Sequence, residues 1–396
     1  MSSKRPLLFL LLLVTLLSVA ISLRTQVTYP MPSYQTETVE WATNGHVADT
    51  FAPLAYPLFA GPAYRFGGDR GIVVLQIFLE LALAFVCYWL LRELGLPASW
   101  SAYGSLPVAL LPDLILSVNK LWDLTLGTVL FLLFVLVCLR IAHNRPRPAV
   151  GSTVWAGLIL AAAIFCRPNL ALLFPTLAVL FLLRRSNLSP GRAAGQIAIF
   201  VLVTVAGYFL LGMASHGSAY FPRNGSYNLY AGHNPQTAAA LHDHLNAEFS
   251  LIPDFYASHS GEPVPNFYSP EMCATYTGRA IDFAIHHPGD EIKLFFYKLF
   301  ILFHPDTKLH ALLSPYGLVK SVLALPVVLF LAVLLFPGRP SITFDDKLLF
   351  AFEILYIIPF LLTNSDPRFR TSLDSLLLLH TVWLYYRRRR YVQALA

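Results

Sequence analysis

Charge is what this chain has least of. Only 13% of its 396 residues are Asp, Glu, Lys or Arg, against about 25% in an ordinary soluble domain, and its mean hydropathy is +0.59. So apolar a composition excludes a solvated globular enzyme and implies an all-α integral membrane protein. Cysteine is scarce as well. Cys87, Cys138, Cys166 and Cys273 form no C-x-x-C pair, and three of them lie within or at the end of apolar runs, so neither a disulfide framework nor a zinc site is implied. No glycine-rich phosphate loop, G-x-S-x-G elbow or H-E-x-x-H motif is present, which leaves soluble-nucleotide chemistry and serine hydrolysis without support. No repeat of fixed period is visible and the halves show no inverted symmetry, which weakens a transporter built from repeats. His242, Asp243 and His244 do not share a helix face and have no third ligand at suitable spacing. The expectation is therefore no cofactor; a divalent metal has no support.

What the chain does have is long apolar runs, at 7–23, 71–91, 101–118, 123–141, 151–165, 170–183, 194–213, 313–336, 348–362 and 373–386. They predict about ten transmembrane helices in a single polytopic domain over residues 1–396. The net charge of +6 points to no nucleic acid, because the cations sit in short segments between the runs. Arg140, Arg145 and Arg147 mark one inner loop, Arg184, Arg185 and Arg192 another, and Arg387 to Arg390 an inner tail. The first outer loop (24–70, with short helices), the turns at Asn119–Trp122, Arg167 and Asp366, and the long outer segment 214–312 then share the opposite face.

The outer segments hold the candidate chemistry. In the first loop, Glu37, Glu40, Asp49 and Asp69 stand just beyond the first helix, where a carboxylate could act as general base for an incoming hydroxyl or simply be solvated. Glu37 and Trp41 lie one helical turn apart. The prolines and aromatics of Pro53 to Phe59 suit a membrane interface. In the next turn, Lys120 either snorkels to headgroups or meets a lipid phosphate, while Asp123, beside Trp122, shapes or protonates the site. Tyr227, Asn228, Tyr230, His233 and Asn234 fall in a stretch rich in asparagine, glycine and tyrosine that fits a polar ligand such as a sugar, and equally fits ordinary turns. Lys293 and Lys298, with Phe295, Phe296 and Phe300, read as an interfacial helix.

Near the C-terminus, Asn364-Ser365-Asp366-Pro367-Arg368-Phe369-Arg370 stands between two apolar runs. Charge is costly at membrane depth. The pair Arg368 and Arg370 is thus read as a phosphate clamp at the membrane surface, with a solvated hairpin turn as the alternative.

Three stretches carry a family resemblance: Tyr227 to Pro235, the turn Cys166-Arg167-Pro168-Asn169, and Arg368-Phe369-Arg370 with Asp374. Together they resemble the GT-C class of polyprenyl-phosphate-sugar glycosyltransferases, in particular protein O-mannosyltransferases and aminoarabinose transferases. The resemblance implies a GT-C-like fold, a lipid-linked sugar donor and an inverting transfer to a lipid, glycan or protein acceptor. It also implies an outward active face on what would be a bacterial inner membrane. An acidic base is expected in the first outer loop, where Glu37 comes closest, with Glu40 and Asp49 behind it. The usual Asp-Glu pair is not evident there, and His233 stands where asparagine is common. A transporter or lipid flippase, or a non-catalytic protein of the same fold, are the alternatives.

Overall fold

The computed structural model describes residues 5–29, 32–48, 53–143, 150–176, 189–235, 237, 269–303, 325–335, 341–363 and 367–395. Asp49, the His242–His244 stretch, residues 364–366 and the Arg368 side chain lie outside what is described. The described residues are helical almost throughout, with one isolated backbone bridge between Thr28 and Lys120. By internal packing the chain forms two compact units. The first comprises Met1–Phe221, Pro326–Tyr356 and Thr371–Ala396, and the second Pro222–Leu325 and Ile357–Arg370.

Within the first unit the helices in order are α1 (Arg5–Arg24), α2 (Pro32–Asn44), α3 (Ala55–Glu93), α4 (Ala98–Ala109), α5 (Pro112–Ile115), α6 (Leu124–His143), α7 (Val150–Cys166) and α8 (Pro190–His216). Among the described residues, four helices are long and apolar enough to cross a membrane: α1, α3, α6 and α8. A fifth span results if α4 and Pro112–Asn119, which meet at 70°, count as one broken crossing. The bend falls at Leu111, held extended by the proline that follows it. The run at 151–165 forms the shorter helix α7, and those at 170–183 and 313–336 lie partly outside the described residues. The last two runs form Phe344–Leu362 and Thr371–Leu395, each interrupted by ionisable groups.

Burial ranks these helices. In α6, 83% of the apolar window is buried, against 17% in α1 and 22% in α8, so α6 is the central post and α1 and α8 present apolar side chains outward. The 39-residue element α3 is two rods meeting at Gly68, whose backbone (φ 56°, ψ −146°) suits only glycine. Its first rod supports α2: a Cβ at Gly61 would stand 2.2 Å from the Trp41 ring.

Ion pairs mark the two ends of α6. At its far end His143 lies 2.9 Å from Glu93 and 3.0 Å from Asp345, gathering the ends of three elements. At its start, Asp123 pairs with Arg167 at 3.1 Å. The Thr28–Lys120 bridge and the Val47 N–H to Ser215 carbonyl bond add the neighbouring segments.

The second unit contains α9 (Asn224–Gly232), α10 (Pro270–His286), α11 (Pro288–Phe303) and the single turn Pro367–Arg370. Tyr230 of α9 stacks on Tyr276 of α10, with ring centres 5.2 Å apart.

Candidate functional site

In the first unit the site is built around an ion pair. Asp123 ends the turn before α6, and Arg167 follows α7, extended ahead of Pro168. Their side chains are 15% and 11% exposed, so the pair is largely withdrawn from water and its attraction is strong. Gly127 makes the room: a Cβ there would come within 2.7 Å of the Arg167 Nε. Burial is the largest single influence and opposes the Arg167 charge, but Asp123 first, and then Tyr356, Cys166 and Tyr34, together outweigh it and hold the guanidinium above its ordinary value. Arg167 also reaches the Tyr356 hydroxyl, which bonds to Ser372, and Ser372 Oγ is 2.7 Å from Thr128 Oγ1.

Helix α2 closes over this pair. Tyr34, Glu37 and Trp41 fall at positions i, i+3 and i+7 and so share one helical face. Tyr34 and Glu37 are buried. Burial raises the Tyr34 phenol well above its ordinary value, and the field of Asp123 adds to that; Cys166, Arg167 and Glu37 also act on it. Glu37, Asp123 and Arg167 therefore share Tyr34 as a neighbour. Below them Gln76 donates to the Tyr56 hydroxyl (3.0 Å) and to the Trp122 carbonyl (3.2 Å), fixing the turn that carries Lys120. Lys120 is half-buried, its Nζ 5.8 Å from the Trp122 ring centre. One turn deeper, Glu80 accepts from Thr125 Oγ1 (3.0 Å) and Ser117 Oγ (3.3 Å).

Glu40 is otherwise engaged: its carboxylate accepts the Ala48 N–H at 2.8 Å and so closes the loop after α2. Tyr29 donates to Asp69 at 2.6 Å; burial, and then this bond, raise its phenol above the ordinary value.

The second unit holds the other sequence candidates. His233 Nδ1 donates to the Glu291 carboxylate at 2.8 Å. Its Nε2 lies 2.9 Å from the Leu362 carbonyl and 3.0 Å from Lys298 Nζ. The ring either donates to the carbonyl as an imidazolium or accepts from the ammonium as a neutral imidazole. Lys298, expected on an interfacial helix, is only 2% exposed. Burial pulls its amine down to about 8, with Glu291 acting the other way. Asn234 is a connector: its Nδ2 donates to the Tyr230 carbonyl (2.7 Å) and its Oδ1 accepts the Thr237 N–H (2.8 Å). Tyr230 is committed to Tyr276, Tyr227 packs on the same cluster and Asn228 is half-buried. Gly232 admits the 361–363 strand of chain, since a Cβ there would stand 1.9 Å from the Thr363 carbonyl oxygen. Arg370, 1% exposed, donates to the Leu302 carbonyl at 3.0 Å, close to the end of α11.

The sequence reading missed Arg167 as the partner of Asp123 and Glu291 as the partner of His233. The Arg-Pro turn was a signal for the first; nothing local signalled the second. Among the described residues no cluster of three His, Cys, Asp or Glu could hold a metal ion.

No family model matches the chain, and no curated protein matches it in sequence. Among solved structures it is similar to ArnT from Cupriavidus metallidurans, crystallised bound to undecaprenyl phosphate. The identity is 16%, over 97% of this chain and 77% of that one, with a TM-score of 0.41.

Proposed function

We propose that this protein is an integral membrane glycosyltransferase. It would move a sugar from a polyprenyl-phosphate donor to a hydroxyl of a lipid, glycan or protein at the outer face. With the remaining apolar runs counted, the chain crosses the membrane about ten times. The observation that carries the reading is the face of α2: Glu37, a buried carboxylate, shares the neighbour Tyr34 with the Asp123–Arg167 pair, where apolar helices begin. In this reading Glu37 takes the proton of the acceptor hydroxyl as its oxygen attacks the anomeric carbon. The carbon–oxygen bond to phosphate breaks, its electron pair leaves with the lipid phosphate, and Lys120 meets the developing charge. Asp123 and Arg167 fix the frame in which the acceptor sits. Arg368 and Arg370 keep their proposed affinity for phosphate within their own unit.

The test is reconstitution of the purified protein with a panel of polyprenyl-phosphate sugars and hydroxyl acceptors, following release of lipid phosphate. Release is expected with at least one sugar, and none with any would overturn the proposal. Glu37→Gln should abolish turnover while donor binding persists. A transporter would draw on ionisable groups inside the spans. Among the described residues, one Glu80 oxygen accepts from two hydroxyls and Glu353 pairs with His380 at 2.8 Å, which favours the transferase.

A further inference from the structure

The segments that meet near the ion pair at the start of α6 carry polar atoms that the fold leaves over. Trp41 Nε1, Gln76 Oε1, Asn119 Oδ1, Trp122 Nε1 and Asn169 Nδ2 are all buried, with no hydrogen-bond partner among the described residues. They come from four different segments, yet each belongs to the same end of the first unit. Trp41 shares the α2 face with Glu37, and Trp122 adjoins Asp123. Asn169 lies two residues past Arg167, and Asn119 and Gln76 hold the Lys120 turn from either side. Gln76 and Asn119 are 1% and 2% exposed. Buried polar atoms are nearly always paired in native proteins, so a concentration of them left over by the protein is met by ordered water or by a ligand.

The kind of atom decides the ligand. Three of the five are N–H donors and two are carbonyl acceptors. A phosphate offers only acceptors and an ammonium only donors, so neither can satisfy the set. A water or a sugar hydroxyl does both, and the surroundings separate the two. The two indoles add apolar faces with a polar edge, which matches the alternating C–H and O–H surface of a pyranose. We infer that these atoms form a subsite for the hydroxyl groups of a neutral sugar, held beside Glu37 and the Asp123–Arg167 pair. The inference rests on the transferase reading for its place in a reaction, but not for the binding itself.

The experiment uses the full chain in lipid nanodiscs and a panel of free neutral monosaccharides (hexoses, pentoses and N-acetylhexosamines), with inorganic phosphate as control. Binding is read by saturation-transfer NMR of the sugar protons and by tryptophan fluorescence. At least one sugar should give a saturable response that phosphate does not displace. Trp41→Phe, Trp122→Phe and Gln76→Leu keep the bulk of each side chain, and each should weaken that response about 3- to 10-fold, the worth of one hydrogen bond. Thermal unfolding of the same variants identifies any that fail to fold, and the remaining ones decide the matter. A panel with no saturable sugar, or folded variants that bind as the native chain does, would overturn the subsite. Sugar binding without release of lipid phosphate would sink the transferase reading and leave the subsite standing. Release with unchanged KM in all three variants would do the reverse.

Discussion

The Asp123–Arg167 region and the Glu291–His233–Lys298 region are chemically alike and differ in how completely they are used. Both bury opposite charges brought together from distant parts of the chain. In the second region every ring nitrogen of His233 has a partner, Asn234 is bonded through both ends of its amide, and Tyr230 is stacked. In the first region indole and amide groups around the ion pair remain unpaired. A buried polar network with no spare capacity specifies a packing; one with capacity left over can still take up ordered water or a ligand. In the stretch rich in asparagine, histidine and tyrosine, the His233, Asn234 and Tyr230 side chains are bonded or stacked within their own unit. A plainer Lys-Leu-Trp-Asp turn lines the better candidate site.

The strongest way to break the contrast is to remove one charge from each region. Arg167→Met strands the Asp123 carboxylate among apolar helices and should lower stability by about 3–5 kcal/mol, read as thermal unfolding of the purified protein. A loss as small as that of an exposed pair would show that water reaches Asp123. Next comes packing. Gly232→Ala puts a methyl group 1.9 Å from the Thr363 oxygen, and the overpacking should cost about 1–3 kcal/mol. Unchanged unfolding would mean that residues 361–363 can move aside.

A pH series sharpens the second region. The Lys298 amine is lowered to about 8 in the folded chain, from about 10.4 when unfolded. Between those values the unfolded chain binds more protons, so stability rises with pH across that window and is flat on either side of it. Lys298→Met should abolish that rise; a variant that keeps it would assign the slope to another group. The smallest effect is expected at Glu40→Gln, which retains an acceptor for the Ala48 N–H but loses its charge, at about 0.5–1 kcal/mol. A drop as large as that of Arg167→Met would place Glu40 in the ion-pair network.

Periodicity and apolar length were enough to foresee α1, the second rod of α3, α6 and α8, because a membrane-length apolar run has few other conformations open to it. The bend within 101–118 was also written in the chain, as Pro112, though the unbroken apolar run concealed it. The Pro-rich stretch from Pro53, whose composition suits a membrane interface, is helix from Ala55, since Pro57 falls in the first turn, where a missing N–H costs nothing. Glu37 is a candidate from sequence because a carboxylate just past a membrane helix stands out, and the structure places it in α2 with its side chain buried. Arg167 could not be joined to Asp123 from sequence, because 44 residues separate them and only the packing of α7 on α6 brings them together. Lys298 went wrong for a related reason. An amphipathic pattern shows which residues share a face but not which face meets protein, and a lysine is ordinarily assigned to water.

The break at Gly68 makes the first rod of α3 a lever arm. Trp41 rests directly on Gly61, so α2, and Glu37 with it, is seated on that rod, whose direction the backbone at residue 68 sets. A side chain at position 68 would meet no neighbour, but it would resist the backbone angles found there. Its penalty would therefore fall on the aim of the carboxylate more than on the solidity of the helices around it.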